Sequence, residues 1–367
     1  MVGMDHHPKL IAMITAEYTP IGPYPGTRYN VGHILFETPD DPDPQFPPSP
    51  ITVSQEDRNR HVSEPLKDLA GYLTYNRNYD PNEVLKRMRQ VGEWISEYVL
   101  PEQCLCCYQG NLPQTIEIAT DQQEFPWELT WVQNNFLARQ VIHARLPFGS
   151  RRRGRSYPLD TSDVPRFALL IGQTAGLPST QEELTGIRRL YQQKFGRDIT
   201  VFQGAEVTSD LIRDLLATTG NFERPFDIVH FIGHGDSQAN LVWLELMGSP
   251  FLDNQVPQVL GGSPLVFLNS CFSGVSSPNQ YRYQADVVGS FGRRLLFSGA
   301  SHFIGPLFPV RDFAAKNFAL SFYSELFSGA PVGVAFFKAK AELSQTDPLA
   351  YTYVLYGIPL ARKVNNG

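Results

Sequence analysis

Two short apolar runs in this chain each end on a side chain able to do covalent chemistry. Phe226-Asp227-Ile228-Val229-His230-Phe231-Ile232 leads into Gly233-His234-Gly235-Asp236, and Pro264-Leu265-Val266-Phe267-Leu268-Asn269-Ser270 leads into Cys271-Phe272-Ser273-Gly274. A thiol is only partly ionised near neutrality, so a cysteine nucleophile needs a neighbouring base. An imidazole titrating in the same range can take the proton and later return it to a leaving amine. His234 is the candidate base and Cys271 the candidate nucleophile. Gly233 and Gly235 allow a sharp bend and leave room for an extended peptide beside the histidine. The amides of Gly235 and Cys271 are candidates for an oxyanion hole. Asp236 is a candidate for orienting His234, a task that a backbone carbonyl can also perform.

The same residues admit plainer roles. His230 and His234 have a zinc-ligand spacing for a helix, but along a strand four residues span roughly 13 Å, too far for one ion. His230 is therefore expected in or beside the core, and no metal or cofactor is expected. Cys271 on its own would read as a buried structural thiol; its pairing with a glycine-flanked histidine is what argues for a nucleophile. The other three cysteines, in Cys104-Leu105-Cys106-Cys107, form no disulfide framework for a chain of 367 residues. No second Cys/His cluster lies near them to complete a metal site, so a reduced, partly buried segment is expected.

Elements must bring the two motifs together. Both apolar runs read as strands buried on both faces, and in open α/β sheets reactive groups gather beyond the carboxyl ends of parallel strands. Around them the pattern is regular. A strand at Arg166 to Gly172 precedes a helix opened by Thr180-x-x-Glu183, a capping-box spacing, with Leu184, Ile187, Tyr191 and Phe195 on one face. A strand at Ile199 to Gln203 and a short helix near Leu211 to Leu216 follow. After Cys271 come a helix from about Asp286 to Phe297, a strand at His302 to Phe308, a helix presenting Ala314, Phe318, Phe322 and Leu326 and stopping near Gly329, and a strand at Tyr351 to Ile358. Strands alternating with helices imply parallel pairing, right-handed crossovers and a three-layer α/β sandwich.

Upstream, Leu10 to Tyr18 and Arg28 to Thr38 read as strands around a Pro/Gly turn. Pro39, Pro42, Pro44, Pro47, Pro48 and Pro50 among acids read as a linker or exposed loop. Asp80 caps a helix with Pro81 at its first position and Val84, Met88, Val91, Ile95 and Tyr98 spaced for one face. Gln114 to Ala119 is a further strand, and Trp127 and Trp131 are expected to anchor this part. Arg151-Arg152-Arg153-Gly154-Arg155 reads as a solvated linker, with a phosphate-binding patch or a cleavage site as alternatives.

These ordered motifs, with Ser298-Gly299-Ala300-Ser301-His302-Phe303-Ile304-Gly305-Pro306-Leu307-Phe308-Pro309-Val310-Arg311-Asp312 and with Phe125-Pro126-Trp127-Glu128-Leu129, resemble the CHAT family of caspase-like cysteine peptidases, relatives of separase. The resemblance runs from about Val62 to the carboxyl end. Phe308 departs from it, standing where the family usually carries Trp. It implies a caspase-like sandwich around a mostly parallel sheet in which residues 61–160 form a degenerate amino-terminal part and 161–367 the catalytic part, with 1–60 an added extension. It also implies a cysteine endopeptidase acting on a protein substrate. Separase-like relatives usually cut after a basic residue, which requires a pocket carboxylate. Asp286 is the candidate, with helix N-cap as its competing role. Relatives serve in antiviral and cell-death systems, so an activating protein or RNA-guided complex is the expected partner. A catalytically inactive adaptor, or a ligand-sensing module built on residues 1–60, is the alternative.

Composition bounds the rest. A net charge of −6 and 19% charged residues argue against general nucleic-acid or anionic-membrane binding. No apolar run reaches the roughly 18 residues of a membrane span, and Met1 to Pro8 lacks signal-peptide form, so a cytoplasmic location is expected.

Overall fold

The structure is a computed structural model describing residues 9–21, 24–38, 41–75, 78–99, 115–120, 125–147, 164–217, 222, 224–238, 241–270, 285–308 and 310–360. Cys104-Leu105-Cys106-Cys107, Arg151 to Arg155 and the segment from Cys271 through Asn279 lie outside them.

Sixteen strands occur among the described residues: β1 (Lys9–Ile21), β2 (Tyr24–Thr38), β3 (Asp41–Ser54), β4 (Thr115–Thr120), β5 (Trp131–Val132), β6 (Asn135–Phe136), β7 (Ile142–Pro147), β8 (Phe167–Ile171), β9 (Thr200–Gln203), β10 (Ile228–Gly233), β11 (Gly235–Gln238), β12 (Leu241–Leu244), β13 (Phe251–Leu252), β14 (Leu265–Ser270), β15 (His302–Pro306) and β16 (Tyr353–Gly357). The main sheet has the order β3-β2-β1-β4-β7-β16-β15-β14-β10-β8-β9. It is mostly parallel; the antiparallel pairs are β1 with β2, β2 with β3 and β15 with β16. A small antiparallel sheet, β11-β12-β13, stands after the candidate histidine.

Seven helices are used below: α1 (Glu64–Tyr75), α2 (Pro81–Trp94), α3 (Thr180–Phe195), α4 (Ser209–Leu216), α5 (Ala285–Ser298), α6 (Asp312–Ser328) and α7 (Val332–Leu343). The period of two sorts the central strands into two faces. His230 and Phe267 meet Tyr323 of α6 on one face, where Phe318 also stacks on Tyr353 at 3.8 Å. Val229, Phe231, Val266 and Leu268 face the other way. They line an apolar cavity of about 30 Å³ with Ile212 and Leu216 of α4 and Phe291 and Leu295 of α5. Helices therefore cover both faces, giving the three-layer sandwich. α6 ends at Gly329, whose φ of 118° is open to glycine at little cost.

Three expectations are corrected. The proline-rich segment is not a linker: Asp41–Ser54 pairs with β2 as the outermost strand, with register irregularities. An edge strand tolerates prolines because half its amides have no ladder partner to lose. Tyr98 does not share the buried face of α2. The chain passes into a π-turn at Ile95–Val99, which shifts the phase so that Val99 is buried, while Tyr98 is 55% exposed and stacks on Trp94. Asp80 does cap α2, accepting from the Asn82 amide at 2.9 Å. Thr180 and Glu183 form no capping box; Ser179 is the N-cap of α3 and Glu183 turns into the core.

Two buried histidines give the fold a pH dependence. His302 lies at the start of β15, opposite Leu265 and hence at the end of β14 away from Ser270. Burial pushes its pKa down to about 4 against a bond to the Ile358 carbonyl. Burial likewise holds His143 of β7 down to about 4. Both are neutral when folded and titrate normally, near 6.5, when unfolded. Their contribution is therefore complete above pH 6.5 and is withdrawn as the pH falls toward 4, by up to about 3 kcal/mol each. Urea unfolding is expected to show stability dropping across that window; a flat profile there would contradict the burial of both rings.

No helix among the described residues is long and apolar enough to cross a membrane.

Candidate active site

β10 and β14 are adjacent, parallel and in register from Ile228 opposite Leu265 to Gly233 opposite Ser270. Both strands are mostly apolar with helices on each face, as suits interior strands, and they stand ninth and eighth in the eleven-strand order. They end side by side. His234 follows Gly233 directly, and Cys271, the residue after Ser270, lies outside the described residues.

The first residues after β8 and β10 are laced together. The Gly172 amide donates to the Ile232 carbonyl at 2.9 Å, the Gln173 amide to the Glu245 carbonyl at 3.0 Å, and the Glu245 amide to the His234 carbonyl at 2.8 Å. His234 is 2% exposed, and its Nε2 lies 3.0 Å from the carbonyl oxygen of Ala175. A carbonyl can only accept, so Nε2 carries the proton and the ring's lone pair is on Nδ1. The Ala175 turn is itself tied at its far end, where the Ser179 amide donates to the Asp312 carboxylate at 2.5 Å. Arg311 beside it donates to the Tyr79 carbonyl at 2.7 Å and lies over the Tyr79 ring.

The glycines act here through size. Gly233 has no left-handed φ, but a Cβ on it would come within 2.9 Å of the Phe231 ring and 3.2 Å of the Gln173 carbonyl. A Cβ on Gly172 would reach the Glu245 carbonyl and the Phe231 ring at 2.7 Å. Alanine at either position would push apart the turns that hold His234. Gly235 opens β11 opposite Leu244, and Asp236, half-buried, lies opposite Trp243. Asp286 is the second residue of α5 and so not its N-cap, and that helix packs against β11 and β12. Asp253, which faces the same helix, accepts from Ser290 and from Arg294 at 2.6 Å.

Beneath the strand ends lies a buried polar network that the sequence reading did not anticipate. His230 is fully buried, with Nδ1 3.0 Å from the Tyr323 hydroxyl and Nε2 3.0 Å from Glu183 Oε1. The same Oε1 accepts from Asn269 Nδ2 at 2.7 Å, and Asn269 Oδ1 accepts from the Tyr353 hydroxyl at 3.1 Å. Glu183 is the residue that spacing assigned to a helix cap, so its inward turn had no signature of its own.

A second buried cluster locks the amino-terminal part. Burial pushes the Glu128 carboxyl up, but Arg145 outweighs it and holds the group below the ordinary range. Arg145 donates to both Glu128 oxygens, through Nε at 2.7 Å and through Nη2, and Nη2 also donates to the Phe125 carbonyl at 2.7 Å. Trp127 is fully buried, in line with its expected anchoring role; Trp131 is half-buried. Phe308 is fully buried in the core. Among the described residues no cluster of His, Cys, Asp and Glu could hold a metal ion.

Comparison with known proteins agrees with this architecture. The structure is similar to Saccharomyces cerevisiae separase in its complex with securin, with a TM-score of 0.56 and 10% identity over 95% of this chain and 30% of that chain. It is also similar to the Arg-specific cysteine proteinase gingipain R of Porphyromonas gingivalis, with a TM-score of 0.50 and 15% identity over 82% of this chain and 75% of that one. The chain thus spans less than a third of the separase chain, and at these identities the likeness is one of fold. No curated protein sequence matches the chain significantly. The CHAT domain matches residues 90–355. With a caspase-like α/β fold and that match over most of its length, the chain belongs to the CHAT-domain family.

Proposed function

We propose that the chain is a cysteine endopeptidase in which His234 and Cys271 form the catalytic dyad. The observation that carries this reading is the register of β10 on β14, which ends the two strands side by side with His234 and Cys271 as their next residues. With Nε2–H held on the Ala175 carbonyl, Nδ1 is the ring nitrogen assigned to take the Cys271 proton. The thiolate then attacks the scissile carbonyl, the oxyanion is received by the Gly235 and Cys271 amides, and the His234 imidazolium protonates the leaving amine. Water, deprotonated by His234, then hydrolyses the thioester.

A basic residue at the cleavage position is the proposed specificity. Gingipain R, named as Arg-specific, shares the fold. Asp286 lies one helical turn before Ser290 on a helix packed against the strand that starts at Gly235, whereas Asp253 is already engaged by Ser290 and Arg294. A fluorogenic peptide library is expected to give cleavage after Arg or Lys, and Asp286→Ala to raise KM for those peptides. Preference for Asp or an apolar residue would overturn this assignment.

The enzyme is proposed to work in the cytoplasm in a defence or cell-death pathway, latent until a protein or an RNA-guided complex engages it. The extension β1–β3 offers a docking surface. β1 is hydrogen-bonded beside β4, five strand positions from β14, or about 24 Å at ordinary strand spacing. A partner favouring the active state by a few kcal/mol would suffice. Low basal cleavage that changes on deleting residues 1–50 is expected; maximal cleavage unaffected by the deletion would contradict it.

A further inference from the structure

We infer that Glu183 is a positioning residue for the proposed dyad, holding the β10 and β14 strand ends in register through His230 and Asn269. This rests on the peptidase reading of His234 and Cys271. His230 stands three residues before the end of β10 and Asn269 one residue before the end of β14, so the clamp grips both strands within their last four residues. One carboxylate oxygen receives both strands, at 3.0 Å from His230 and 2.7 Å from Asn269. Tyr323 of α6 and Tyr353 of β16 close the other sides of His230 and Asn269.

A carboxylate 2% exposed is costly to bury, and a well-packed apolar trio could fill the same space at equal or better stability. What an apolar trio could not supply is direction. Backbone ladder bonds alone permit small slides and shears between parallel strands, while two hydrogen bonds converging on one oxygen fix β10, β14 and α3 together. Asn269 precedes Cys271 by two residues and His230 precedes His234 by four, so a shift at the clamp is passed along stiff strand to the reacting atoms. A displacement of about 1 Å there is enough to cost roughly a hundredfold in rate. α3 also begins at Ser179, the far end of the turn that presents the Ala175 carbonyl to His234. One helix thus serves both the orientation of the base and the register of the two strands.

The test compares Glu183→Ala with Glu183→Gln, which keeps a carbonyl oxygen able to accept both bonds. Peptide cleavage and the rate of Cys271 alkylation by iodoacetamide, followed on the Cys271 peptide by mass spectrometry, are measured on folded full-length protein. Glu183→Ala is expected to lower kcat about a hundredfold with KM little changed, and to lower the alkylation rate toward that of His234→Ala. Glu183→Gln is expected to restore most of both. Wild-type kcat and alkylation in folded Glu183→Ala, or equal loss in the Gln variant, would overturn the inference. Should Glu183→Ala fail to fold, Asn269→Ala, which cuts the β14 arm and the Tyr353 bond but leaves Glu183 on His230, must show the same loss of kcat, and its absence overturns the inference equally. If wild-type Cys271 alkylates no faster than in His234→Ala, the dyad itself fails and takes the inference with it.

Discussion

Replacing Cys271 with alanine is expected to abolish peptide cleavage, by roughly 10⁴-fold or more, while leaving the unfolding transition in place. The substitution removes the proposed nucleophile with little change in volume. His234→Ala is expected to cost about 10²–10⁴-fold, the usual worth of a positioned general base, because the thiol remains but loses its proton acceptor. The two losses should not add, since each variant breaks the same proton transfer. Cleavage at the parental rate by purified Cys271→Ala protein would rule out the proposed chemistry.

Arg145→Met is expected to give the largest loss of stability, about 3–5 kcal/mol, because it leaves the fully buried Glu128 without the cation that holds it ionised. The Phe125 carbonyl loses the Arg145 bond at the same time and keeps the Trp127 amide. Converting the pair together, Arg145→Met with Glu128→Gln, should recover much of that loss. Urea unfolding of the single and double variants reads this directly, and a single variant as stable as the parent would contradict the role given to the cluster.

Much of the strand–helix order of the carboxyl half was legible because its buried strands are short apolar runs and most of its helices carry apolar residues at intervals of three and four; β11–β13 and α7 were not. The Asp80-Pro81 cap and the stop at Gly329 were legible because they rest on local backbone chemistry. What escaped depends on tertiary partners. α7 follows closely on α6; its buried face, Val332, Ala335, Phe336, Ala339 and Leu343, includes Lys340 and small residues, while Val334 and Phe337 lie off that face, so the apolar contrast in the sequence is blurred. The Ala175 carbonyl has no side-chain identity to betray its role. Glu183 matched a capping pattern three residues after Thr180, and only the arrival of His230 and Asn269 from distant segments explains why it points inward. Prolines marked Asp41–Ser54 as irregular, and pattern alone does not distinguish a loop from an outermost strand.

The central claim is that Cys271 is a nucleophile activated by His234. Its most direct measurement is mass spectrometry of the intact protein and its Cys271 peptide after incubation with a peptidyl acyloxymethyl ketone carrying Arg at the cleavage position. The account requires one covalent adduct, on Cys271, that forms far more slowly in His234→Ala and not at all in Cys271→Ala. A Cys271 that stays unlabelled, or that labels at the same rate without His234, would contradict it and leave the fold as a binding scaffold.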